Sequence, residues 1–119
     1  MKFNWVTFKV SDLEKSVAFY TELLNLEIAA RFGSEERQIV MLGKADETKV
    51  ELIFEPNGKV ENPGKGVSIG FEIDDLDGLV RLLKESGKNV IGPRTPNPHI
   101  RYFFVKDPDG YSVQLVEQK

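Results

Sequence analysis

The sequence predicts an α+β fold made of two tandem βαβββ modules. Three observations lead there. The chain repeats itself at a fixed offset of 63 residues, its apolar residues alternate with period two on either side of helical stretches, and turn-forming residues stand where strands must reverse. Set over Ser68 to Val80, the stretch Trp5 to Val17 aligns Phe8 with Phe71, Asp12 with Asp75, Leu13 with Leu76 and Val17 with Val80. The same offset carries Val50-Glu51-Leu52 onto Val113-Gln114-Leu115. A shared offset at both ends of each half indicates two copies of one structural unit.

In the first module Val6, Phe8 and Val10 alternate with Trp5, Thr7 and Lys9, the pattern of a half-buried strand. Ser11 is expected to cap the following helix, with Glu14 completing a capping box. Leu13, Val17, Tyr20 and Leu24 form its buried stripe. Asn25 suits the left-handed position that ends it. Residues 28–32, about 38–42, and 49–54 read as three further strands, with a hairpin loop over 43–48.

The second module follows the same order. Residues 67–73 form a strand, Asp74 the expected cap, and Leu76, Leu79 or Val80, and Leu83 the helix stripe, ended by Gly87. Residues 89–91 read as a short strand. Gly92 to His99 carries three prolines and is expected to be a loop. Residues 101–106 and 111–116 form a last hairpin across Asp107-Pro108-Asp109-Gly110. The expected organisation is a single domain over 1–119, with module 1 at about 1–55, a linker at 56–65, rich in Gly, Pro and Asn, and module 2 at about 66–119.

A chain of 119 residues, 40% hydrophobic and 29% charged, has the composition of one soluble globular domain. No apolar run reaches the roughly 20 residues of a membrane helix, and the N-terminal residues lack a signal peptide's apolar core. With no cysteine, disulfides, thiolate metal sites and cysteine nucleophiles are excluded. A net charge of −3 and the lack of a basic stripe argue against nucleic acid. The expected location is cytoplasmic, with no membrane partner.

The segments Val10 to Leu24, Phe71 to Gly87 and Asp107 to Glu117, set in two βαβββ units, resemble the vicinal oxygen chelate superfamily. That group contains glyoxalase I, bleomycin-resistance proteins and extradiol dioxygenases. The resemblance implies that the strands curl into a cup of mixed β-sheet with helices on its outer face and a ligand on its inner face. By the pleat, Val6, Phe8, Val10, Val50, Leu52, Phe54, Ile69, Phe71, Ile73, Tyr111, Val113 and Leu115 then face the helices. Trp5, Thr7, Lys9, Glu51, Ile53, Glu55, Ser68, Gly70, Glu72, Ser112, Gln114 and Val116 would line the cup. Between Arg101 and Lys106 either alternate set could face inward.

The resemblance also places four metal-ligand positions, at Trp5, Glu51, Ser68 and Gln114. They are not a competent set. An indole N–H has no lone pair to give. A neutral serine hydroxyl is a poor ligand for zinc, nickel or iron. Glu51 is a sound oxygen ligand, and Gln114 offers a carbonyl oxygen of a kind some glyoxalases use. A catalytic site needs about three protein ligands and an open position. No metal or other cofactor is therefore expected. The single histidine, His99, is expected to be an exposed loop side chain, Tyr20 to be core, and Glu55 and Glu72 to sit in water at strand ends. Ser11 and Asp12 read as caps, not as a catalytic pair.

The reading is a metal-independent binding protein like the bleomycin-resistance branch, without catalysis. Its site residues would be Trp5, Thr7, Glu51, Ser68 and Gln114. Trp5 would stack on a small, partly aromatic, cationic molecule, within a lining made net negative by Glu51, Glu55 and Glu72 against Lys9. Two alternatives stand beside it. One is a glyoxalase-like lyase with Glu51 as catalytic base or ligand to a divalent metal. The other is a degenerate dimeric scaffold, its cup filled by its own side chains. Hydrogen bonding between Glu51 and Gln114 is the bland alternative to ligand contact. A homodimer is implied by the resemblance.

Overall fold

Strand, helix and three strands follow one another twice along the chain, and each set closes into its own four-stranded sheet. The structure, a computed structural model, describes all of residues 1–119. It divides into two compact units, Met1–Asn62 and Pro63–Lys119. That division falls inside the stretch expected to link the modules.

Unit 1 contains β1 (Trp5–Lys9), α1 (Leu13–Ala18, continued by a π-helical turn over Phe19–Leu23), β2 (Ile28–Ser34), β3 (Arg37–Leu42) and β4 (Lys49–Phe54). The sheet order is β1-β4-β3-β2, with β1 parallel to β4 and the other pairs antiparallel. Phe8, Val40, Leu42, Val50 and Leu52 are buried on the helix-bearing face. Leu13, Val17, Tyr20 and Leu24 meet them from α1 and its extension, all buried as the stripe predicts. The Phe8 and Tyr20 rings stack at 6.1 Å, joining the first strand to the helix.

Unit 2 contains β5 (Ser68–Glu72), α2 (Leu76–Glu85), β6 (Ile91–Asn97), β7 (Ile100–Lys106) and β8 (Ser112–Gln118), in sheet order β5-β8-β7-β6. The repeat holds at the level of strand register. Phe8 pairs with Leu52 and Val40 with Leu52 in unit 1; Phe71 pairs with Leu115 and Phe103 with Leu115 in unit 2. Every one of these partners is displaced by the same 63 residues. Leu76, Leu83, Val113 and Leu115 are inaccessible to solvent. Burying one such side chain stabilises the fold by about 1.5–3 kcal/mol.

Both helix caps lie one residue later than expected. Asp12, not Ser11, caps α1 by accepting from the Lys15 N–H at 3.1 Å, and Asp75, not Asp74, caps α2 by accepting from Gly78. Ser11 is otherwise engaged, since its hydroxyl accepts from the Val60 N–H at 3.0 Å and fastens the segment after β4. Glu14 is taken by Arg31 of β2 in a two-bond ion pair, so the capping box does not form. In unit 2 Asp77, the counterpart of Glu14, is bound by Arg101 of β7. Each helix is thus tied by its first turn to an arginine of its own sheet.

Helix ends follow the sequence closely. Asn25 has φ +62° and Gly87 φ +80°. The N–H groups of Gly87 and Lys88 reach the carbonyls of Lys84 and Leu83, the paired bonds of a Schellman motif. In the last hairpin Asp107 is buried, and its carboxylate accepts from the N–H groups of Asp109 and Tyr111, both at 2.9 Å. This fixes the turn between β7 and β8.

The segment Gly92 to His99 is a correction. It is not a loop: Ile91–Asn97 forms β6, paired with β7 at Ile91, Arg94 and Asn97 with irregular register between them. Prolines are tolerated there because β6 is an edge strand, where a missing N–H need not break the ladder. The expected strand over 89–91 accordingly begins only at Ile91.

Two substitutions test these local devices. Asp107→Ala strands two backbone N–H groups in a part-buried turn and should cost about 1–3 kcal/mol in urea denaturation; an unchanged midpoint would remove the turn from the determinants of the hairpin. The hydrogen bond from Arg101 and its nearby charge hold the Asp77 carboxyl below its ordinary value of 3.8. The folded chain then binds that proton more weakly than the unfolded one, so the contribution is fully present above the ordinary value and is lost as pH falls through the folded-state value. Asp77→Asn should therefore be less stable than the parent at about pH 7 and converge with it at about pH 2. A gap that persists in acid would contradict this.

Candidate functional site

The face of each sheet turned away from its helix carries the residues singled out by the sequence. In unit 1, register places Trp5 beside Lys49, Glu51 between Thr7 and Met41, and Ile53 between Lys9 and Ile39. β2 extends the face with Ala30 beside Met41 and Phe32 beside Ile39. Trp5 is 52% exposed at the end of an edge strand. Its ring does not plug the face.

Glu51 is half-buried, and its partner is Thr7, whose hydroxyl donates to Oε1 at 2.6 Å. The carboxylate is thus oriented along one edge by a neighbour on the adjoining strand. Lys49 was overlooked by the sequence argument, although its parity matches Glu51. It adds a second ammonium to Lys9 on this face of unit 1. The Lys49 ammonium is drawn to the Glu47 carbonyl at the hairpin loop, which leaves Glu51 paired with a hydroxyl and not with a cation. Ile53, expected on this face, is 5% exposed, flanked there by Ile39 and Lys9.

In unit 2 the corresponding face has Ser68 beside Ser112, Gly70 beside Gln114, and Glu72 beside Val116. β7 settles the question left open by its alternation. Phe104 lies beside Gln114 and Tyr102 beside Val116, whereas Arg101, Phe103 and Val105 share the helix side. The Tyr102 and Phe104 rings meet edge to face at 5.6 Å. Pleat parity alone could not choose between the two sets; the charge pairing of Arg101 with Asp77 and Glu117 across the helix side was the usable signal.

Ser68 and Glu72 are exposed, Glu55 is partly so, and Tyr20 is core. His99 is exposed in the turn between β6 and β7, its N–H donating to Asn97 Oδ1. It lines a recess of about 340 Å³ on the helix side of unit 2, with Asp77, Arg101 and Glu117. That is the opposite side of the sheet from Gln114.

Comparison with known proteins gives these faces a context. The family model described as the Glyoxalase/Bleomycin resistance protein/Dioxygenase superfamily matches residues 2–115. The chain belongs to this superfamily. A probable lactoylglutathione lyase of Vibrio cholerae is 32% identical over 125 residues, covering 93% of the chain and 86% of that protein. The lactoylglutathione lyase of Salmonella typhimurium is 29% identical over 130 residues, covering 100% and 94%. Among solved structures, glyoxalase I of Leishmania major superposes with a TM-score of 0.85 at 22% identity, covering 98% of this chain and 86% of that one. The antibiotic-binding protein TnmS3 of Streptomyces sp. CB03234 superposes at 0.75 with 23% identity, covering 100% and 97%. At these identities the two superpositions speak for the fold.

A metal, which the resemblance implies for some members, can be tested against the donors. Trp5 has no lone pair to offer, and Ser68 brings a neutral hydroxyl. Glu51 is a competent oxygen donor already bonded to Thr7. No three His, Cys, Asp or Glu side chains of the chain come together as a set that could hold an ion. His99 stands in the β6–β7 turn and lines the recess on the helix side of its sheet, away from Gln114. These residues do not fit the group.

Proposed function

We propose that this superfamily member binds a small aromatic molecule by contact and hydrogen bonding, without a catalytic metal and without breaking a bond in it. The single observation that carries the reading is Trp5: an exposed indole stands where a metal-using relative needs a ligand. Its flat face offers stacking and, for a cation, attraction of about 0.5–2 kcal/mol. Glu51, oriented by Thr7, supplies a charged anchor and Gln114 a neutral one, with Ser68 at the edge. In this proposal both modules act together as one domain, the protein is a cytoplasmic homodimer, and the ligand is its partner.

A second reading is favoured by a different observation. Its relatives at about 30% identity are named lactoylglutathione lyases, and Glu51 is a carboxylate held in a defined orientation. A lyase on a hemithioacetal would use Glu51 as its base. A third, a dimeric scaffold with a self-filled site, is disfavoured by the exposure of Trp5.

Calorimetry with benzyltrimethylammonium tests the first reading. Wild-type chain should bind it saturably, and Trp5→Ala should weaken it by about tenfold, the loss of one cation–π contact. Equal affinity in the two proteins, or hemithioacetal turnover abolished by Glu51→Gln, would overturn it.

A further inference from the structure

The residue after each asparagine governs how long that asparagine lasts. Its side chain is lost when the next backbone nitrogen attacks the amide carbon. The chain has six asparagines. Asn62 and Asn97 precede proline, whose nitrogen has no proton to give up. Asn4, Asn25 and Asn89 precede Trp5, Leu26 and Val90, whose side chains crowd the nitrogen. Asn57 precedes Gly58, which has no side chain and leaves it bare. Pro56, Asn57, Gly58 and Lys59 are all exposed, just beyond β4.

The turn around Asn57 has a twin in unit 2. Glu55-Pro56-Asn57-Gly58 and Asp107-Pro108-Asp109-Gly110 both close with the glycine N–H donating to the carbonyl of the first acid, at 2.8 and 3.0 Å. They are secured differently. The buried Asp107 carboxylate also binds the N–H groups of Asp109 and Tyr111. The turn at Glu55 is closed by its glycine bond alone. Opening one exposed turn takes little free energy, and it frees the Gly58 nitrogen. The two acids that precede glycine are poorer targets, because a carboxylate resists a nitrogen nucleophile. Asp109 stands in the clamped turn, and Asp77 is held ionised by Arg101 at the start of α2.

We propose that Asn57 is a self-modification site, converted through a cyclic imide to aspartate and isoaspartate, and that the conversion loosens the segment after β4. The Gly58 nitrogen gives its proton to solvent and attacks Cγ of Asn57. The new N–Cγ bond forms as the Cγ–Nδ2 bond breaks, and Nδ2 leaves as ammonia with a proton from water. One water then opens the imide at either carbonyl. Either product lowers the net charge of −3 by one. Its carboxylate joins Glu35, Glu36 and Glu55 around a recess of about 630 Å³, where like charges repel. Isoaspartate also lengthens the main chain by one methylene between residues 57 and 58. Two residues further on, the Val60 N–H is held by the Ser11 hydroxyl at 3.0 Å, and this bond feels both changes.

The test ages the full chain in mildly alkaline buffer at physiological temperature. Intact mass and released ammonia follow the reaction, and peptide mapping locates it. Asn57 should convert before any other asparagine, and before Asp77 or Asp109 isomerises. The folded chain should react up to about tenfold more slowly than the chain in urea, the protection of one hydrogen bond. Asn57→Gln, checked for folding by its amide spectrum, should lose the early ammonia release, since glutamine must close a larger ring. In the isolated isoaspartate product the Val60 amide should exchange with solvent faster than in the parent. A folded chain that stays intact while the chain in urea converts would overturn the site, as would first conversion at another residue. Unchanged Val60 exchange in the product would overturn the loosening.

Discussion

The parallel pairing of the first strand of each unit with its last is the constraint on which the site depends. Phe8 beside Leu52, and Phe71 beside Leu115, lock these strands by burying one face against a helix. Because side chains alternate, that burial also decides what the other face presents. A slip by one residue would put Leu52 and Leu115 in water and Glu51 and Gln114 against the helices. The several kilocalories lost with each leucine make such a slip prohibitive. The side chains that can meet a ligand are thus set by core packing, and the helix-to-sheet ion pairs of Arg31 and Arg101 only trim what the core has fixed.

Duplication supplies two similar surfaces, and substitution makes them chemically unlike. An acid with a hydroxyl partner in one unit answers to an amide over a bare backbone in the other. Trp5 answers to Ser68. The register of β1, β4 and β3 recurs to the residue in β5, β8 and β7, so these differences act without any change in these strands of the scaffold. Fold and site chemistry vary independently here, which is how proteins of one fold can bear names as different as a lyase and an antibiotic-binding protein.

Much of this was legible in the sequence because the repeat and the alternation report the same physical fact, burial on one side of a strand. The helix stripes, the left-handed Asn25 and Gly87, and the order of elements all follow from local chemistry. What escaped was decided by competition between partners. Ser11 is a good cap, but the Val60 N–H claims its hydroxyl, so Asp12 caps instead. The three prolines after Gly92 suggest a loop, yet Pro93 and Pro96 lie in an edge strand that does not require their missing N–H groups, and only Pro98 falls in the turn. The inward set on β7 was undecidable from parity, because Phe103 and Phe104 are equally apolar; pairing with Leu115 and Gln114 separates them. At the site, Trp5 and Glu51 were found from register, whereas Lys49 and the Thr7–Glu51 bond emerged only once the strands were paired.

The central claim is that the donors presented by these faces do not make a metal site. Equilibrium dialysis of the chain, purified without chelator, against zinc and nickel followed by elemental analysis tests it most directly. The expected result is ion content far below one per chain, unchanged by Glu51→Gln. Retention of one ion per chain, lost when either Glu51 or Gln114 is replaced, would contradict the claim.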